Sequence, residues 1–377
     1  MSFNKKEDRL KSAWIWIGFA VFVFGVVLFT IYGVKLGAIS HDHTAWSSFG
    51  SLLGGFFMIA STGATVATLF FLAHQNKEIQ RVNVYQREVT QAQLAAMNFE
   101  QYINHRRLFM DRLVELQTSY ENKFVFVDGE SLYNKIFTKN GPTNLVFKVD
   151  LDDTEDGENL LRRIGTRLDR LDKFLDQSQW NHNETRKLVG MLIDVYGDLQ
   201  IRWTGEAFDG DVMFFGKHTG VNIYSLDDFL AIARSIYNSL LFYTGNKKYD
   251  GLNKSMMRYP CDALIEFFLE YHKLKDAIDV VKIIPGLAVI ERLYLDLESF
   301  RGFDSDWLLK STYSSLLDVF RSKEHVRTLK DDVFMANFVS VAMKECALAL
   351  ETVGEEGDNY PLLLKAQEEI NSLHSRY

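Results

Sequence analysis

WSSFGSLLGGFFMIASTGATVATLFFLA, residues 46–73, is a run of 28 residues without Asp, Glu, Lys or Arg. At about 1.5 Å of rise per residue, a helix of this length exceeds the roughly 30 Å hydrocarbon core of a bilayer. It can therefore span with tilt, or with one end buried in protein. Upstream, SAWIWIGFAVFVFGVVLFTIYGV (residues 12–34) is a second uncharged run, of 23 residues. Its apolar core is longer than a signal-peptide core, and no small-x-small cleavage site precedes the next apolar run, so two membrane helices are expected. Trp14, Trp16 and Trp46 fit headgroup-level anchors.

Lys5, Lys6, Arg9 and Lys11 precede the first run, Lys35 alone lies between the two, and Lys77, Arg81 and Arg87 follow the second. This bias predicts two spans with both termini cytoplasmic and a short outer loop, in a bacterial inner membrane. His41 and His43 flank Asp42 in that loop, but two imidazoles without a third firm ligand read as interfacial polar groups.

Between Gly63 and Gly129 there is neither Gly nor Pro, so the second membrane helix is expected to run on as a stalk. Val82, Tyr85, Val89, Ala92, Ala96, Phe99 and Ile103 follow a 3-4 spacing along it. That is a heptad seam, either packed on the chain's own domain or used for self-association. The expected organisation is a transmembrane hairpin (1–76), a helical stalk (77–122) and a mostly helical cytosolic domain (123–377) with a few short strands.

In that domain FVFVD (124–128), VFKVDL (146–151) and VMFF (212–215) read as strands or extended loops. Helices are expected where Leu161, Ile164, Leu168, Leu171 and Leu175 repeat, from Ser225 with Asp228 as an acidic capping box, and over Cys261–Leu274 after Pro260. Asp276–Phe300, broken by Pro285-Gly286, reads as two helices or one kinked helix. Trp307–Arg321, Leu329–Val353 and Leu362–Ser372 complete the set.

Removing the five basic and three acidic residues that precede residue 77 from totals of 42 and 50 leaves 37 and 47. So acidic a domain is not expected to bind nucleic acid unspecifically over its whole surface. Cys261 and Cys346, a lone and widely spaced pair, read as reduced, buried thiols.

Catalytic motifs are missing. Gly210–Thr219 has five residues between its glycines and His after the lysine, where a phosphate loop needs four and then Ser or Thr. An EF-hand counted from Asp152 puts Arg163 where the bidentate Glu belongs, so the Asp150–Glu158 acids read as a turn before a helix. No enzyme, cofactor or metal is expected.

The membrane segments say more. Gly50 and Gly54, with Gly55 beside them, allow close helix approach in lipid, and Ser61, Thr65 and Thr68 form a hydroxyl stripe. This face serves either packing between the chain's own two spans, or a multimer interface or polar path. Stalk self-association would use Val82, Tyr85, Val89, Phe99 and Ile103. Arg106 and Arg107 at the stalk end, and Arg163, Arg167 and Arg170 on one helical face, are the candidate partner-binding cations. Ion pairs with Asp169 and Asp172 are the competing account for the second group.

The Trp-x-x-Phe-Gly-x-x-x-Gly-Gly run from Trp46, the Gly/Pro-free stalk, the His105–Phe109 box and Leu132–Phe137 resemble bacterial two-transmembrane phage-defence proteins. These include AbiC-like abortive infection proteins and the membrane effectors encoded beside retrons. The likeness covers roughly residues 10–145. AbiC-like members often carry Asn-Pro after the paired glycines. Phe56-Phe57-Met58 stands here instead, which leans the comparison toward the retron-associated group. The resemblance implies a toxic, non-enzymatic effector that depolarises the inner membrane and is held quiet by a reverse transcriptase–msDNA complex or a similar guard. The alternatives are a membrane-tethered sensor or scaffold whose hairpin only anchors it, and an enzyme with an unfamiliar site.

Overall fold

A computed structural model describes residues 3–36, 42–152, 159–177, 179–252, 257–271, 273–274, 277–299 and 308–375. His41 and most of the acidic cluster (153–158) lie outside these residues, as do Phe300 and Trp307. The protein is mostly α, with an N-terminal apolar helix, one very long helix and a few short strands. Two compact units divide inside the long helix, after Leu94.

The first unit contains α1 (Phe3–Leu36) and the beginning of α2 (His43–Ser119). With no glycine after Gly63 and no proline, nothing interrupts α2 over its 77 residues. The apolar windows of α1 and α2 are long enough to cross a membrane, and no residue of either is buried inside the protein.

In the second unit, α2 ends at Tyr120–Asn122, where Glu121 and Asn122 take left-handed backbone. Then come β1 (Phe124–Phe126), α3 (Gly129–Ile136), α4 (Leu160–Leu175), α5 (His182–Leu199) and β2 (Ile201–Trp203). All five α4 residues of the leucine repeat are buried. Asn159 caps that helix, its side chain accepting from Leu161 N at 2.9 Å. Helix α5 opens on a reciprocal capping box between Asn181 and Glu184, a signal the sequence reading passed over.

Next are β3 (Asp211–Phe214), β4 (Lys217–Asn222), α6 (Leu226–Tyr243), α7 (Arg258–Glu270), β5 (Lys273–Leu274), β6 (Ile278–Val280) and α8 (Leu287–Ser299). The chain closes with α9 (Lys310–Val319), α10 (Lys323–Val326), a 3-10 turn over Arg327–Lys330, α11 (Asp332–Val353) and α12 (Tyr360–His374). Strands order as β4-β3-β6-β5, all antiparallel, and β1 pairs separately with β2. Gly165 lets α4 approach α6 closely, because a Cβ there would lie 2.3 Å from the Tyr237 hydroxyl.

Residues 146–151 take the loop alternative, in which Asn140 bonds the main chain of Val146. Three local expectations change. Among the described residues, 277–299 are neither two helices nor a kinked one: Ile278–Val280 is a strand bonded to β3, and the helix starts only after Pro285-Gly286. Helix α7 begins at Arg258 and stops at Glu270, and Lys273–Leu274 of the expected helix form β5 instead. Ser225 precedes α6 but makes no capping bond; its hydroxyl accepts from Lys323 N at 2.9 Å, tying two distant segments.

Helix α11 is also apolar and long enough to cross a membrane. Unlike the apolar windows of the first two, it buries one face, through Met335, Phe338, Val339, Ala342, Cys346 and Ala349, against α9 and α12. Cys261 and Cys346 are both buried and unpaired with each other, and burial pushes the Cys261 thiol up to about 12.

Candidate membrane and stalk interface

In the first unit α1 meets α2 through aromatic side chains. Phe24 stacks on Phe56 at 5.1 Å between ring centres, and Phe49 contacts both Phe29 (5.7 Å) and Tyr32 (4.1 Å). On α2 the half-buried stripe is Ala45, Phe49, Leu53, Phe56, Ala60 and Ala67. Bulky rings hold the helices apart, so glycine does not make this contact. A Cβ added at Gly50, Gly54 or Gly55 would meet nothing within 4 Å. Advancing 100° per residue, Gly50, Gly54, Ser61, Thr65 and Thr68 cluster on an arc lying roughly a third of a turn from the aromatic stripe. The structure thus leaves this face uncovered by the chain's own α1. The i, i+7 pair Phe49 and Phe56 was the sequence signal for the intrachain contact; the glycine motif beside it drew the reading away.

The threonines of the hydroxyl stripe are satisfied within their own helix. Thr65 Oγ1 donates to the Ser61 carbonyl at 2.9 Å, Thr68 to Ala64 at 2.9 Å and Thr62 to Met58 at 2.8 Å. Back-bonding of this kind removes the need for a polar partner in lipid. Each hydroxyl keeps its lone pairs and can still accept.

Along the stalk Val82, Tyr85, Val89, Phe99 and Ile103 are all exposed. The face that α2 buries in the second unit is another one, made by His105, Phe109, Leu113 and Leu116. The His105 ring sits among Phe137 (4.8 Å), Phe147 (5.3 Å) and Tyr243 (5.1 Å), and its Nδ1 lies 2.9 Å from the Tyr133 hydroxyl. Asn140 donates to that hydroxyl, so the Tyr133 proton points to His105. Burial pushes His105 below the usual imidazole range, and the neutral ring acts as an acceptor inside an aromatic core. The arginines of the same box turn outward: Arg106 pairs with Glu130, and Arg107 donates to Asn104 at 3.1 Å.

Arg163 and Arg167 converge on the buried Asp198 of α5, at 3.1 and 2.8 Å, and Arg167 also donates to the Asp194 carbonyl at 2.7 Å. Their partners come from the neighbouring helix and not from Asp169 or Asp172. One carboxylate holding two guanidiniums is an α4–α5 clamp. Arg170 lies exposed on α4.

A buried polar network crosses the sheet. His218 Nε2 and Asp211 Oδ2 are 2.7 Å apart, while Gly220 N donates to His218 Nδ1 at 3.0 Å. Nε2 therefore carries the proton and donates to Asp211, leaving no free lone pair for a general base. Asp211 also accepts from Phe208 N and from Asn222. The Gly210–Thr219 segment, which lacks the spacing of a phosphate loop, is this hairpin, turned by Phe215 and Gly216, both at positive φ. At Gly220 (φ +80°) a Cβ would lie 2.6 Å from the Trp203 ring, which stacks on His218. These pairings join residues far apart in sequence, so no local spacing announces them.

No known protein family, curated protein or solved structure matches the chain.

Proposed function

We propose that the protein is a non-enzymatic membrane effector of anti-phage defence, whose α1–α2 hairpins associate on activation and depolarise a bacterial inner membrane. The observation that supports this most is the small and hydroxyl face of α2, from Gly50 to Thr68, which α1 leaves open within an entirely unburied apolar window. In water each large apolar side chain so exposed forgoes about 1.5–3 kcal/mol, and a bilayer removes that cost. In lipid, small residues give close backbone contact between copies. A reverse transcriptase–msDNA complex, or another guard docked on the cytosolic unit, keeps the hairpins apart until infection. Expression without the guard is expected to collapse the potential reported by a voltage-sensitive dye as growth stops; a polarised membrane at normal protein level overturns the reading.

Two spans with cytoplasmic termini put the start of α2 outside. Thr44→Cys is expected to react with an impermeant maleimide in intact cells, whereas Ser340→Cys, exposed on α11, reacts only after permeabilisation. Labelling of residue 340 in intact cells contradicts that topology.

A second reading, a membrane-tethered sensor or scaffold, is favoured by the back-bonded threonines, since threonines satisfied within their own helix suit a plain anchor. Thr65→Val separates the two. It removes the hydroxyl at constant shape, and a conducting polar path should lose most of its ion flux while an anchor keeps its function.

A further inference from the structure

The 3-4 spacing of the stalk can be carried backward along α2. From Val82 the same register reaches Glu78, Gln75, Phe71, Thr68, Ala64, Ser61, Phe57, Gly54, Gly50 and Ser47 without a skipped or added residue. Ser47, Gly50, Gly54, Ser61 and Thr68 of the apolar run thus fall on the positions that the stalk fills with Val82, Tyr85, Val89 and Ala92, whereas Ser48, Ser51, Gly55, Thr62 and Gly63 do not. Thr65 falls just beside those positions. We infer that residues 47–92 of α2 form one unbroken heptad seam whose occupant is the same seam of a second copy of this chain, parallel and in register.

Four features point to a second copy. First, all these positions are exposed except Glu78, which is half-buried in line with the stripe that meets α1, and Gly50, Gly54, Ser61 and Thr68 lie on another side of the helix. Second, a seven-residue repeat drifts by about 20° per heptad on a straight helix, so over about six heptads it stays on one side only if another helix supercoils with it. Third, copies inserted in one membrane orientation can meet only in parallel, which sets each seam residue against its own counterpart: Gly50, Gly54, Ser61, Ala64 and Thr68 as small layers in lipid with Phe57 and Phe71 as the bulky ones, and Val82 and Val89 as Val layers in water. Fourth, the flanking charges tolerate this pairing. In a parallel pair the residue before each first seam position faces the one after the second seam position of the next heptad. Arg81 would face Gln86 of the second copy and Glu88 would face its Gln93, with no like charges opposed.

The polar layers lie where the apolar run ends. Gln75 occupies a first seam position, where an amide fixes register at some cost in stability. Glu78 would meet its own counterpart, and its neighbour Arg81, 3.6 Å away on the same helix, offsets the repulsion in part. This border layer makes the assembly weaker than the rest of the seam dictates, as a guarded toxin requires. The inference rests on the effector reading for that purpose alone; the seam itself does not depend on it.

Single cysteines test it in membranes of cells making the full chain, with the buried native Cys261 and Cys346 left in place. Under mild oxidation Ala64→Cys and Val89→Cys should give disulfide dimers in several-fold higher yield than Val66→Cys and Arg87→Cys, which lie on the opposite side of the same heptads. Adding Glu78→Gln should raise the yield at both seam positions. Equal yields on and off the seam overturn the inference, as does a stalk preference for residue 89 joined to a membrane preference for residue 66, because the register would then be broken. Seam dimers in cells that stay polarised would leave the inference standing and remove the effector reading; depolarisation with off-seam crosslinks would do the reverse.

Discussion

Gly54→Leu should leave the protein inserted at its normal level and abolish depolarisation. A Cβ at residue 54 meets nothing within 4 Å, so the single chain accommodates the new side chain. Leucine is also the better helix former, by about 0.8–1 kcal/mol over glycine, and it keeps the run apolar. Folding and insertion therefore give no reason for a loss. What changes is the closest distance at which another helix can pass: an isobutyl group now fills the groove that Gly50 and Gly54 leave open, and contact between backbones in lipid is lost. The readouts are the amount of protein in the membrane fraction and the signal of a voltage-sensitive dye on expression without a guard. A variant that accumulates normally and still collapses the potential would mean that this face is not the working surface.

Glu291→Ala should cost the second unit about 3 kcal/mol, the lower end of the range for removing one partner of a buried ion pair. Glu291 is fully buried on α8, where it accepts the Tyr224 hydroxyl and pairs with Lys282 just beyond β6. Burial pushes its carboxyl up, and the ammonium of Lys282 opposes that shift. Removing the carboxylate strands a buried phenol and a cation with little access to water. Glu291→Gln keeps an acceptor for Tyr224 and should cost less, which separates loss of the charge pair from loss of the hydrogen bond. Thermal or urea unfolding of the purified protein in detergent reads the difference. An unchanged midpoint for Glu291→Ala would show that the network carries no stability.

The sequence by itself determined the elements whose physics is local. Twenty-odd uncharged residues in a row need a helix and a non-aqueous surrounding. A stretch without Gly or Pro keeps that helix going, and the leucines of α4 select one buried face by their period alone. The Gly50–Thr68 face and the stalk seam were legible for the same reason, since helical spacing fixes which residues share a side.

Only the tertiary structure decided what those faces touch. It gave the contact between α1 and α2 to Phe24, Phe49 and Phe56, because rings reach across a gap that glycines leave open. It turned Arg163 and Arg167 onto Asp198, and it made Ile278–Val280 a strand, because β3 offered hydrogen bonds that a short segment before Pro285 could not supply as a helix. It also showed which stripe of α2 is buried within the second unit, that of His105 and Phe109, while Val82, Tyr85 and Val89 are exposed. Periodicity says that a face is apolar; which neighbour fills it depends on shape and on residues distant in the chain, and no local spacing encodes that.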